Sequence, residues 1–152
     1  MSQKGPGIDL DKSLGYLLKE ASSALRTAME AVLRPLGMTV THYSCLELLA
    51  QRPGLSNSEL ARGAFVTRQS MNVLLQNLER EGYVTRPAQA PHGKALPARL
   101  TPRGRQSLEE ATAAVRSVEV RMLGGMTEAE QADAFRALTS MVHSLRAGDA
   151  GA

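Results

Sequence analysis

This chain of 152 residues has one cysteine, no tryptophan, two phenylalanines and three tyrosines. A single thiol excludes an internal disulfide. Cys45 lies in the apolar run Tyr43-Ser-Cys-Leu-Glu-Leu-Leu49, where a buried structural thiol is expected rather than a redox sensor. The histidines, His42, His92 and His143, are too far apart to show metal-ligand spacing, so no metal is assigned. No glycine-rich phosphate loop is present, and no cofactor is expected. No paired carboxylates, Cys-His or Ser-His-Asp grouping marks an enzyme, so no catalytic residue is named. No apolar run approaches the roughly 20 residues that cross a bilayer. The opening Met-Ser-Gln-Lys-Gly-Pro-Gly lacks the apolar stretch of a signal peptide. A cytoplasmic protein without membrane contact is expected.

What is present is globular: 43% of residues are apolar and 22% charged, so the chain can build a core. The length suits one domain, or one domain with helical extensions. The charge is uneven. Between Arg52 and Arg105 nine Lys or Arg residues face three acids, a net +6. The remainder carries nine bases against twelve acids, a net −3. The overall +3 therefore hides a basic middle, which phosphate binding explains better than solubility does.

That middle has an ordered plan. Ser56 and Glu59 form a capping box at the start of a short helix. Leu55, Leu60 and Ala61 give it an apolar side, and Gly63 is placed to end it in the left-handed conformation. Phe65 and Val66 are expected to fill the turn, and Thr67 to cap a second helix. There Met71, Leu74, Leu75 and Leu78 recur at helical spacing and face a core. The opposite side carries Arg68, Gln69, Asn72, Val73 and Gln76. Such a face is either merely solvated or it reads bases, Gln and Asn pairing with adenine and Arg with guanine. Two strands around a Pro/Gly loop follow, ending at Leu100-Thr-Pro-Arg-Gly104. Helix, turn, helix and two strands make a winged helix-turn-helix, which lays its second helix in the DNA major groove.

The flanks are helical. From about Asp11 to Arg34, Leu14, Leu17, Leu18, Ala21, Leu25, Ala28, Met29 and Val32 form an apolar stripe, closed by Pro35 and Gly37. A helix from about Val40 to Gln51 stops at Pro53-Gly54. Thr101-Pro102 starts a long helix in which Leu108, Ala111, Val115, Val118 and Met122 alternate steps of three and four, a heptad seam. After Gly124-Gly125, Thr127 and Glu130 form another capping box. Phe135, Leu138, Val142 and Leu145 continue the spacing. The winged unit has its own expected core in Leu46, Leu49, Leu60, Phe65, Leu74, Leu78, Val84 and Leu100. The extra stripes then point to an intertwined homodimer, which also suits a palindromic site.

Expected organisation is a disordered tail over 1–10, a helical dimerisation region over 11–35 and 102–146, a winged helix-turn-helix DNA-binding lobe over 36–101, and a second tail over 147–152. The fold class is mainly α with a small β-wing.

With these residues in place the chain resembles the MarR family of bacterial transcriptional regulators. The resemblance runs from about Asp11 to Leu145. It rests on Leu36-Gly-Met-Thr39 before Tyr43 and Leu46, on Leu55-Ser-Asn-Ser-Glu-Leu-Ala61, on Leu78-Glu-Arg-Glu-Gly-Tyr-Val84, and on Leu100-Thr-Pro-Arg-Gly104. It implies six helices and a two-stranded wing per subunit, a dimer, and binding to palindromic operator DNA. It also implies action as a repressor, relieved by a small aromatic or phenolic effector or by oxidation. Arg68, Gln69, Asn72 and Val73 then read bases. Ser56, Thr67, Gln76, Arg86, His92, Lys94 and Arg99 hold phosphates or form the wing. The family's wing tip carries an Asp-x-Arg pair where this chain has His92 and Lys94. Lys94 keeps the charge but lacks the planar fork, and His92 is not a carboxylate. Oxidation-sensing members place their cysteine in the first helix, and this chain has none there. The family's ligand pocket lies between the DNA-binding lobe and the dimer helices. Tyr16, His42 and Tyr43 are polar-aromatic candidates near that junction, Tyr43 suiting core packing as well. The alternative reading is a winged-helix protein-interaction module without DNA binding.

Overall fold

A computed structural model of the protein describes residues 7–86 and 97–150. Within them lie α1 (Leu14–Leu33), α2 (Val40–Gln51), α3 (Asn57–Gly63), α4 (Arg68–Arg80), β1 (Val84–Thr85), β2 (Arg99–Leu100), α5 (Pro102–Leu123) and α6 (Glu128–Ala150). Short 3-10 turns occupy Leu10–Lys12 and Arg34–Leu36. The expected tails over 1–6 and 151–152, and the wing-tip pair His92 and Lys94, lie outside the described residues. α6 continues to Ala150, through positions where a tail was expected. The chain divides into two compact units, one ending at Val118 and one beginning at Glu119.

In the first unit local signals set the helix starts. The Ser56 hydroxyl accepts the Glu59 N–H at 3.2 Å, and the Glu59 carboxylate accepts the Ser56 N–H at 3.0 Å. The Thr67 hydroxyl accepts the Ser70 N–H at 3.0 Å. At α2 the capping box uses an imidazole. Thr39 accepts the His42 N–H at 3.0 Å, and His42 Nδ1 accepts the Thr39 N–H at 3.3 Å. These bonds satisfy backbone donors that a helix start leaves unpaired.

The sheet pairs Val84 with Leu100 and Thr85 with Arg99, antiparallel. Its far end is tied to α5 through Thr101, whose hydroxyl donates to the Gly82 carbonyl at 2.6 Å and accepts the Gly104 N–H at 3.0 Å. A Cβ on Gly104 would stand 2.0 Å from the Tyr83 carbonyl oxygen, so only glycine fits. Arg103 lies over the Tyr83 ring, 5.0 Å from its centre. The Leu-Thr-Pro-Arg-Gly run is therefore a clamp between wing and helix.

The core gathers Leu33, Cys45, Leu46, Leu49, Leu60, Met71, Leu74, Leu75, Leu78 and Val84. Fully burying each large apolar side chain stabilises the fold by about 1.5–3 kcal/mol. Leu108, Ala111 and Val115 of α5 join this same cluster. The heptad seam assigned to a second subunit is thus, over these residues, part of the chain's own core. Its periodicity marks an apolar face without saying which surface covers it. Glu47 fastens α2 to α5: its carboxylate accepts from Thr112 at 3.0 Å and from Gln51 at 2.6 Å.

Two expectations for the turn between α3 and α4 fail. Gly63 does not end α3 in the left-handed region. It lies inside the helix, where an added Cβ would meet Leu48 Cδ1 at 3.0 Å. The left-handed residue is Phe65, at φ 59°. Nor is Phe65 in the core: it is 85% exposed. Val66 takes the inward place instead, packed against the buried cluster, with its N–H on the Ala61 carbonyl at 3.0 Å.

In the second unit, Thr127 accepts the Glu130 N–H at 3.1 Å and Glu130 accepts the Thr127 N–H at 2.9 Å, capping α6. Along α6, Phe135, Leu138, Val142 and Leu145 are exposed.

Candidate nucleic-acid interface

α4 is two-sided. Met71, Leu74, Leu75 and Leu78 are buried, while Arg68, Gln69, Asn72, Val73 and Gln76 are exposed. The buried side fixes the roll of the helix, so the polar side points outward as a rigid row. Thr67 is committed to its cap, accepting from the Ser70 N–H and donating to the Ser70 hydroxyl at 2.9 Å. The helix begins with Arg68, so the partial positive charge of its N-terminus and a guanidinium coincide.

Asn72 is the junction of this face. Its Oδ1 accepts from Asn57 Nδ2 at 3.3 Å and from Arg86 Nη1 at 3.5 Å. Arg86 is anchored in turn by Glu79. Its Nη2 donates to Oε1 at 3.4 Å and its backbone N–H to Oε2 at 3.3 Å. The start of α3, the middle of α4 and the end of β1 therefore meet at one amide. Asn57, Arg68, Gln69 and Asn72 line a cleft of about 520 Å³ between α3 and α4.

The structure brings Arg68, Gln69, Asn72 and Arg86 to one area. Ser56 stands at the start of α3, next to Asn57. Arg99 is exposed on β2, opposite Thr85. Every described Lys or Arg of the basic middle except the half-buried Arg86 is exposed. Sequence reading missed Asn57 and Glu79. Asn57 had one available signal, an amide directly after an N-cap serine. Glu79 had none, because its partner Arg86 is reached only through the turn into β1.

The candidate ligand residues have other duties or none. His42 is the α2 cap. Burial lowers its pKa from the ordinary value, against the opposing pull of the Glu81 carboxylate. Tyr43 is half-buried against the core and hydrogen-bonds Glu47. Burial works to raise the Glu47 pKa, but bonds from Gln51, Tyr43 and Thr112 and the charge of Arg116 outweigh it, and the net shift is downward. Tyr16 is exposed on α1. A separate cleft of about 360 Å³ opens where α1 ends and α2 begins, lined by Arg26, Glu30, Arg34, Gly37, Met38, Thr39 and Val40. Cys45 is buried with its Sγ 3.8 Å from Met71 Sδ, and burial pushes its pKa up to about 12. It is an inert thiol at neutral pH. Among the described residues no group of His, Cys, Asp and Glu could hold a metal, and no helix is long and apolar enough to cross a membrane.

Comparison with known proteins agrees with this geometry. The profile of the MarR family matches residues 36–95. The HTH-type transcriptional repressor Rv2887 of Mycobacterium tuberculosis is 44% identical over 135 residues, covering 89% of this chain and 97% of that protein. Its crystal structure in complex with DNA superposes with a TM-score of 0.72 at 44% identity, over 86% of this chain and 98% of that one. The same protein in complex with salicylic acid gives 0.72 at 45% identity, over 86% and 97%. A MarR family regulator from Silicibacter pomeroyi, at 22% identity, shares the fold with a TM-score of 0.80 over 93% of this chain and 96% of its own. On the helix-turn-helix face, the wing clamp and these likenesses, the chain belongs to the MarR family of transcriptional regulators.

Proposed function

We propose that the protein is a dimeric, sequence-specific transcriptional repressor that binds palindromic operator DNA in the cytoplasm and is released by a small aromatic acid or phenol. The observation that carries this reading is the α4 face: a buried underside, an exposed row of Arg68, Gln69, Asn72 and Val73, and an Arg86 aimed beside it. The solved Rv2887–DNA complex supports it through a relative 44% identical. Gln69 and Asn72 are assigned to base edges. Ser56, Thr67, Gln76, Arg86 and Arg99 are assigned to the phosphates on either side, with His92 and Lys94 at the wing tip.

Residues 11–35 and 102–146 are assigned to dimerisation, carried by exposed Leu14, Leu17 and Leu18 on α1 and Phe135, Leu138, Val142 and Leu145 on α6. For the effector, the cleft at the α1–α2 junction offers Arg34 for a carboxylate and Met38 and Val40 for a ring. Tyr16, His42 and Tyr43, which do not line this cleft, are kept as secondary candidates. Rv2887 has been solved with salicylic acid, which supports this ligand class.

Fluorescence anisotropy on a duplex selected from a randomised pool tests the main claim. With six to ten phosphates contacted, affinity falls roughly 10³- to 10⁵-fold between 50 and 200 mM salt. A flat salt response would instead support a winged-helix protein-interaction module. Salicylate raises the apparent Kd of the wild type and leaves that of Arg34→Ala unchanged. Equal release of both proteins removes the cleft from the account.

A further inference from the structure

Phe65 is the residue other than glycine that takes a positive φ among the described residues, at 59°. Its ring is 85% exposed. Both features oppose stability. A Cβ in the left-handed region crowds the following carbonyl, which glycine avoids. An exposed ring leaves apolar area in water. The conformation itself is required by the turn: the Phe65 N–H reaches the Arg62 carbonyl at 3.3 Å, the Val66 N–H reaches the Ala61 carbonyl, and Val66 turns inward. The side chain is not required, because Val66 fills the core beneath. Strain of this kind persists at functional positions. The ring therefore has its use outside the chain.

Its surroundings define what it meets. Arg62 and Arg68, both exposed, stand three residues before and three after it. Thr67 and the positive end of α4 follow directly. The carboxylate of Glu59, six residues before Phe65, is bonded to the Ser56 N–H in the capping box. A ring flanked in sequence by two exposed arginines suits a polyanion with apolar patches between its charges, rather than an apolar protein surface. The DNA backbone has that pattern, since the C–H face of deoxyribose alternates with phosphate. We propose that Phe65 packs on a deoxyribose of the strand flanking the major groove that receives α4, with Arg62 on the adjoining phosphate. It acts as a sequence-independent anchor that sets the depth of α4. This rests on the DNA-binding reading above.

The test compares the full-length wild type with Phe65→Gly, Phe65→Asn and Phe65→Leu. Anisotropy is read on the selected operator and on a random duplex from 50 to 200 mM salt, with thermal unfolding alongside. Phe65→Gly relieves the backbone strain, so its Tm is no lower than that of the wild type. Its affinity falls roughly tenfold on both duplexes by the same factor. The salt slope stays unchanged, because no phosphate contact is removed. Phe65→Asn, which also tolerates the left-handed region, behaves alike, and Phe65→Leu lies between them and the wild type. Wild-type affinity in the glycine and asparagine variants overturns the proposal. So does a loss confined to the operator, which would make the ring a base reader, or a loss that changes the salt slope. A wild type that binds neither duplex would end the DNA-binding reading itself, a separate outcome from wild-type binding that Phe65→Gly leaves intact.

Discussion

α4 and α6 carry the same kind of pattern, apolar residues at steps of three and four with polar residues between. In α4 every member of the stripe is buried: Met71, Leu74, Leu75 and Leu78. In α6, Phe135, Leu138, Val142 and Leu145 stand in solvent, Phe135 with 73% of its surface exposed. The difference lies in what the chain folds against each helix. α4 is enclosed by α2, α3 and β1, all near it in sequence and joined by capped turns. The α6 stripe is exposed among the described residues. Contiguous exposed apolar surface marks an interaction site, and a second copy of the chain is the occupant proposed above.

The sharpest way to break this comparison is to place charge on each stripe. Leu138→Glu with Val142→Glu costs nothing if α6 stays exposed. In a dimer it leaves unpaired charges buried, costing several kcal/mol. The double variant is expected to elute as a monomer or to unfold, and to lose operator binding. Wild-type size and affinity in that variant would show that α6 is not an interface. In α4, Leu75→Ala removes buried volume inside the subunit and lowers stability by about 2–5 kcal/mol. Here the loss, read by urea unfolding, is expected to be independent of protein concentration. The loss on α6 depends on concentration, because dimer stability does.

The polar faces sharpen the contrast at smaller energies. Asn72→Ala is expected to cost about 1–3 kcal/mol on the preferred operator and little on random DNA. Arg86→Ala is expected to weaken both equally and to reduce the salt slope. Because Arg86 donates to Asn72, the double variant should lose less than the sum of the two single losses. Strict additivity would dismiss that bond as a feature of the bound state.

The smallest effect concerns His42. Its pKa is lowered in the fold, so below about pH 6.5 the unfolded chain takes up more protons than the folded one. Its contribution is therefore complete above about pH 6.5 and declines as pH falls through that value. His42→Gln keeps an acceptor for the Thr39 N–H but does not titrate. It should remove about one or two degrees of the Tm decrease between pH 7.5 and 5.5. An identical decrease in both proteins would assign the pH dependence to the carboxylates.

Much of this was legible because it is local. Ser56 with Glu59, Thr67 with Ser70, and Thr127 with Glu130 are contacts three residues apart, so a linear reading finds them. The α4 stripe and its polar reverse follow from the helical period. The Leu-Thr-Pro-Arg-Gly run was legible as a family motif. Its reason, the 2.0 Å approach of a Gly104 Cβ to Tyr83, was not. The site was half legible: its helix and its row of side chains were read, its wiring was not. Asn57 and Arg86 reach Asn72 across 15 and 14 residues of chain. Nothing in the pattern of any one segment encodes that meeting.

The sequence alone decided that this protein is a winged helix-turn-helix with capped helices, a basic middle and several apolar stripes, because hydrogen-bond capping, helical period and charge count are properties of neighbours along the chain. Only the tertiary structure decided which stripe is core and which is surface. α5 and α6 look alike in sequence, yet Leu108, Ala111 and Val115 are enclosed and Phe135, Leu138 and Val142 are not. It also decided that the turn would be made by Phe65 rather than Gly63. Gly63 stays inside α3, where a Cβ would require the Leu48 side chain to shift, and Val66 packs against the core beneath the turn. That left a strained, exposed phenylalanine just before the helix assigned to DNA. Burial is a sum over everything that surrounds a side chain, and only the folded chain supplies those surroundings.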